Sequence, residues 1–207
     1  MRWIGLAGAL WLAGATGAVA EKAYVAGGCF WCVEADFEKV PGVRGVVSGY
    51  TGGTSENPTY AEVSADIGGH YEAVEIDFDP ERISYAAILY LFFRSINPTD
   101  AGGQFCDRGD SYRTAIFVTD EGQRLAAEAA VAAAGAALGK RIRTPVLAAG
   151  RFWPAEDVHQ DYWKGREIVL TRRGPMRKAD AYRFYRAECG RDRRLIELWG
   201  DAAVFSR

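Results

Sequence analysis

Two cysteines three positions apart, Cys29 and Cys32, follow a short apolar run (Ala23 to Ala26) and the pair Gly27-Gly28. Apolar residues then recur at Phe30, Val33, Phe37 and Val40, one face of a helix, until Pro41-Gly42 ends the pattern. Cys29 is thus expected where a strand turns into a helix, with the first unpaired N–H groups of that helix beside its sulfur. The positive end of the helix dipole favours thiolate, so a lowered thiol pKa is expected there. The glycines permit a tight turn and leave the sulfur uncovered. This is a nucleophile's position.

The C-x-x-C spacing admits other chemistry. Haem attachment needs a histidine next, and Val33 stands there. Structural zinc needs two more ligands at matching spacing, but Cys106, Cys189, His70 and His159 are isolated. An acyl-transfer cysteine wants a histidine base, and neither histidine lies in such a context. Thiol–disulfide exchange through Cys29 and Cys32 remains a rival reading, as does a non-catalytic exported binding module.

Other residues point to a polar oxygen on the substrate. In the alternating run Tyr71 to Phe78, Glu72 shares the face of Val74, Ile76 and Phe78. A carboxylate on an apolar face is costly unless paired or protonated. Desolvation raises its pKa, so Glu72 can serve as a general acid. Tyr50, Tyr60 and Tyr112 fall at strand ends or in adjoining loops, and Phe30 and Trp31 flank the cysteine. A cysteine, a protonated acid, hydroxyl donors and an aromatic slot suit a sulfoxide, with its oxygen toward the acid and its methyl toward the rings.

The elements that must position these groups read in the order β-α-β-β-α-β. Strands are expected at Ala23 to Ala26, Val43 to Tyr50, Tyr71 to Phe78 and Tyr112 to Val118. Helices are expected after Cys29 and from a Ser84 cap to Ile96. That is the ferredoxin-like split arrangement of an α/β (α+β) domain. Beyond it lie an alanine-rich helix (Asp120 to Leu138), a short strand (Thr144 to Ala148) and helical pattern from Asp180 to Trp199. No linker divides residues 21–207, a single catalytic domain in a chain of 207 residues.

A formal net charge of −2 gives no basic surface for nucleic acid. The cluster Arg191, Arg193, Arg194 reads as a solvated helix face. Arg2, the uncharged run Trp3 to Ala20 and the ending Ala18-Val19-Ala20 are the parts of a secretory signal, with cleavage expected after Ala20. An uncleaved anchor is the alternative. Export, to a periplasm-like space, would leave no stable membrane association and place the thiols where oxidation is easy.

Taken together, Gly28-Cys-Phe-Trp31, Gly49-Tyr-Thr-Gly-Gly53, Asn57-Pro-Thr-Tyr60, Gly69-His-Tyr-Glu-Ala-Val74, Ser111-Tyr-Arg-Thr-Ala-Ile116 and Ala155-Glu-Asp-Val-His-Gln160 resemble the peptide methionine sulfoxide reductase A family. The resemblance runs in order from about Tyr24 to Tyr162. It implies that Cys29 attacks the sulfur of methionine-S-sulfoxide, free or in oxidised proteins, and becomes a sulfenic acid. It also implies Glu72 as proton donor, Tyr60 and Tyr112 as its hydroxyl partners, Phe30 and Trp31 as the methyl pocket, and Asp107 as an acid nearby. No cofactor or metal is implied beyond an external dithiol such as thioredoxin, and a monomer is expected. Many members have glycine in place of Cys32 and a flexible tail bearing the resolving cysteines. Here Cys189 sits in a helical-looking segment. It is the first candidate to resolve the sulfenic acid, Cys32 the second and Cys106 the third, with a Cys106–Cys189 structural bridge as the alternative.

Overall fold

The computed structural model describes residues 20–206, so the expected export signal lies outside the described residues except for Ala20. Strand β1 (Glu21–Gly27) leads into α1 (Phe30–Phe37), β2 (Val43–Thr51), a short α2 (Tyr60–Ser64), β3 (Tyr71–Phe78) and α3 (Tyr85–Ser95). Two-residue strands β4 (Gly103–Gln104) and β5 (Asp107–Arg108) pair before a 3-10 turn at Asp110–Tyr112 and β6 (Thr114–Val118). Then come α4 (Glu121–Leu138), β7 (Val146–Ala148), β8 (Trp153–Pro154), the hairpin β9 (Ile168–Thr171) and β10 (Gly174–Arg177), α5 (Lys178–Glu188) and α6 (Arg191–Trp199).

The main sheet runs β7-β6-β1-β3-β2-β8. Its inner four strands are antiparallel in the order β6-β1-β3-β2, the expected split arrangement. Strand β7 extends one edge in parallel and β8 the other antiparallel. Because strand side chains alternate, Val25, Val74, Ile76 and Phe78 meet Phe37 of α1 and Leu89 and Phe92 of α3 in one core. Each of those phenylalanines contributes roughly 1.5–3 kcal/mol by leaving water. Ser84 caps α3 by accepting from the Ala87 N–H at 3.2 Å. Asp120 opens α4, and Gly139, left-handed at φ 60°, closes it.

Several boundaries move for local reasons. Helix α1 stops at Phe37 rather than Val40, because the chain tightens with the Val40 N–H donating to the Phe37 carbonyl. Strand β6 begins at Thr114, since Asp110–Tyr112 is a 3-10 turn. Helix α2 starts on a Thr59–Glu62 capping box just after the turn-rich stretch Thr51 to Pro58. The Asp180 to Trp199 pattern is two helices, broken at Cys189-Gly190 where Gly190 takes φ 66°. Among the described residues no helix is long and apolar enough to cross a membrane.

A disulfide joins Cys106 to Cys189 across 83 residues, tying the β4–β5 loop to the joint between α5 and α6. Cross-links of that span stabilise by about 2–5 kcal/mol, chiefly through the unfolded chain. The double variant Cys106→Ser, Cys189→Ser is expected to unfold at correspondingly lower urea concentration. An unchanged midpoint would remove the bridge from any part in stability.

Candidate active site

Cys29 is the N-cap of α1, as the glycines and the helical pattern require. Gly28 holds φ +78°, and a Cβ there would come within 2.5 Å of the Gln104 side chain, so only glycine makes this turn. The cap lacks a side-chain hydrogen bond. Glu72 supplies it instead: its Oε2 accepts the Phe30 N–H at 3.0 Å. The carboxyl is buried, on the core face of β3. Desolvation, with Asp107 and Cys32 nearby, pushes it up to about 8 despite the Phe30 N–H and the Tyr112 hydroxyl. At neutral pH Glu72 is chiefly the acid.

Tyr112 lies within hydrogen-bonding reach of both Glu72 and Tyr60. Burial and the acids hold both phenols above their usual range, so they remain donors. Tyr50 goes elsewhere: its hydroxyl donates to Glu156 Oε2 at 2.8 Å, and Glu156 Oε1 accepts the Tyr60 N–H at 2.8 Å. Glu156 therefore fixes the start of α2, and with it Tyr60. The His159 ring lies 4.3 Å from that of Tyr60, and Trp31 stacks on Tyr162 at 3.7 Å.

These groups open on a cavity of about 800 Å³ lined by Cys29, Phe30, Trp31, Tyr60, Glu72, Asp107 and Tyr112. All four cysteines reach it. The free thiols of Cys29 and Cys32 lie within hydrogen-bonding reach of each other, whereas Cys106 and Cys189 are joined. The Cys29 thiol stands above its usual range, the reverse of the expected lowering. The bond to Cys32, burial and the charges of Cys32, Glu72 and Asp107 push it up. Cys32 is pushed down to about 7, first by the Cys29 bond, with Arg191 and Arg186 helping against burial. Between the two, burial and the nearby acids favour the proton on Cys29, and Arg191 and Arg186 favour charge on Cys32.

Comparison with known proteins decides what this arrangement is. The model of the peptide methionine sulfoxide reductase family matches residues 21–187. A relative from Rhizobium meliloti, peptide methionine sulfoxide reductase MsrA 2, is 50% identical over 88% of this chain and 85% of its own length. The chain belongs to the peptide methionine sulfoxide reductase A family. Among solved structures, methionine sulfoxide reductase A of Corynebacterium diphtheriae superposes with a TM-score of 0.63 at 31% identity, over 70% of this chain and 74% of that one. Mxr1 from Saccharomyces cerevisiae, solved in complex with Trx2, shares the fold at a TM-score of 0.51 and 18% identity, over 67% of this chain and 82% of that one.

The reductase uses thiols to return methionine sulfoxide to methionine, which sets aside the disulfide-exchange and binding-module readings. Two of its residues escaped the sequence reading. Glu156 lay within a recognised motif, but its two partners come from distant strands and helices. Arg191, expected on a solvated face, is 2% exposed.

Proposed function

We propose that the reductase acts on the S epimer, free or within oxidised proteins, with Cys29 as nucleophile and Glu72 as proton donor. The Cys29 sulfur attacks the sulfoxide sulfur as its proton passes to the Cys32 thiolate. Glu72 protonates the oxygen, which Tyr60 and Tyr112 hold by their hydroxyls. The protonated oxygen then passes from the substrate sulfur to that of Cys29 as the bond between the two sulfurs breaks, so methionine leaves and Cys29 is left as a sulfenic acid. Phe30 and Trp31 line the slot for the methyl group, and Asp107 borders the site. One observation carries this reading: a Glu72 carboxyl buried on the core face of β3 and bonded to the first N–H of the helix that Cys29 caps.

Cys32 is the better resolving residue, ahead of Cys189, because its thiol already meets that of Cys29 while Cys189 is engaged with Cys106. Cys106 and Cys189 are then a structural bridge. An external protein dithiol of thioredoxin type reduces the Cys29–Cys32 disulfide. The signal-like residues Arg2 to Ala20 and the Cys106–Cys189 bridge both support work in an oxidising compartment outside the cytoplasm.

The test is single-turnover reduction of each methionine sulfoxide epimer by pre-reduced protein, followed by mass-spectrometric mapping of the oxidised cysteines. Loss of the S epimer alone with a Cys29–Cys32 bridge is expected. Loss of neither epimer would refute the reading.

Tyr112→Phe is expected to slow that turnover on the order of 10²-fold, as removal of one preorganised oxyanion donor does. It also removes a bond that holds Glu72 down, so the alkaline fall in rate should move to higher pH. A single-turnover pH profile reads both effects. A slower rate with an unmoved limb would separate Tyr112 from Glu72.

A further inference from the structure

Arg191, the first residue of α6, is buried, and among the described residues no carboxylate is paired to it. Its guanidinium donates to the Ser95 carbonyl at 2.6 Å and more weakly to the Gly27 carbonyl at 3.4 and 3.5 Å. It lies 4.7 Å from the centre of the Phe105 ring, and its Nε–H has no partner. Gly27 is two residues before Cys29, so this cation braces the back of the nucleophile's turn. It lines the same cavity as Cys32. Arg186, by contrast, is matched by Asp36 at 2.9 Å and by Asp192 at 2.7 Å.

A buried cation bonded only to carbonyls is expensive unless an anion stands near it. We infer that Arg191 is the buried counter-cation of the Cys32 thiolate, a positioning residue for the step in which Cys32 closes the disulfide on Cys29. This rests on the reading of Cys32 as the resolving cysteine. In that step the Cys32 thiol, which took the Cys29 proton, gives it to the Glu72 carboxylate and attacks, as thiolate, the sulfur of the Cys29 sulfenic acid. An S–S bond forms as the S–O bond breaks, and the oxygen leaves as water with a proton supplied through the Glu72 carboxyl. The Cys32 sulfur is oxidised and the Cys29 sulfur reduced, both ending at the disulfide level.

The surroundings of Cys32 leave this role to Arg191. On its own helix stand Cys29, which donates to it, and Asp36, which opposes the thiolate. Glu72 faces it from β3, Tyr182 and Arg186 from α5, and Tyr162 packs in the same cluster. Asp36 and Arg186 answer each other, and Glu72 and the two phenols hold their protons. Arg191 is the cation without an ion pair, and Asp36 feels its charge. Asp107 feels it as well. The Cys106–Cys189 bridge pins the joint that ends at Gly190, immediately before Arg191, so the same disulfide that steadies the Asp107 loop seats this charge.

The test titrates Cys32 in the full-length Cys29→Ser protein, where it is the one free thiol of the four cysteines, by thiolate absorbance near 240 nm. Adding Arg191→Met is expected to raise the midpoint by about one pH unit or more, the effect of losing a close opposite charge. Arg191→Lys, which keeps the charge, should restore most of it. If Arg191→Met does not fold, Arg191→Gln replaces it, since glutamine can still donate to the Gly27 and Ser95 carbonyls without the charge. With Cys29 present, Arg191→Met should close the disulfide about tenfold more slowly near neutral pH, and the deficit should shrink as pH rises. A midpoint equal to that of the parent in a folded neutral variant overturns the inference, as does a deficit that high pH does not repair. Because the titration involves no sulfoxide, its failure is distinct from failure of the catalytic reading, which would show as no methionine formed.

Discussion

Glu72→Gln is expected to slow methionine formation on the order of 10²- to 10⁴-fold, the usual contribution of a positioned acid. Glutamine has nearly the same shape, and its amide oxygen can still accept the Phe30 N–H that closes the start of α1. What it lacks is an acidic proton. The wild-type rate should fall as pH rises through about 8, where the buried carboxyl ionises, and should fall on the acid side as the Cys32 thiolate is lost below about 7. The variant should lack the alkaline limb. Stability follows the same group. Its pKa is raised on folding, so the protonated carboxyl's contribution is complete at low pH. It is lost progressively as pH climbs from the ordinary carboxyl value through about 8. Thermal melts above pH 8 should therefore favour the variant over the wild type. A single-turnover rate equal to wild type would remove Glu72 from the acid's role.

Cys32→Ser is expected to convert a cycling enzyme into one that makes a single equivalent of methionine and stops. Cys29 keeps its place at the helix start, so the first oxygen transfer can still occur. The sulfenic acid then has no adjacent thiol, and Cys189 is held by Cys106. The product should be trapped on Cys29 by a sulfenic-acid reagent such as dimedone, while turnover with a protein dithiol is lost. The first equivalent should also form more slowly, since the thiolate that receives the Cys29 proton is gone. Continued turnover with a Cys29–Cys189 bridge would overturn this assignment and reinstate the C-terminal cysteine.

Much of the fold was legible because its signals are local. The alternation of Val74, Ile76 and Phe78 marks a half-buried strand, and Ser84 and Asp120 mark helix starts that the structure keeps. The same parity places Glu72 on the core face. The hairpin β9–β10 was missed because Ile168 and Leu170 are strongly exposed, at 65% and 85%, and sit among charges that blur any period. The capping box at Thr59 and Glu62 was readable but follows directly on a loop rich in turn residues.

By itself the sequence determined which residues could react: a cysteine after two glycines, a carboxylate on an apolar face, and tyrosines at strand ends. Those properties follow from near neighbours along the chain, where spacing and periodicity have direct geometric meaning. Only the tertiary structure decided which thiol the surrounding groups favour as thiolate, which cysteines pair, and that Arg191 lies beneath the nucleophile's turn instead of in water. Charge on a buried thiol depends on burial and on groups from α5, α6 and β3, more than forty residues away in some cases, as Glu72 and Phe30 are (separation 42). Low polarity in the interior makes such distant neighbours outweigh the adjacent residues, so their effect emerges only when the chain has closed around them.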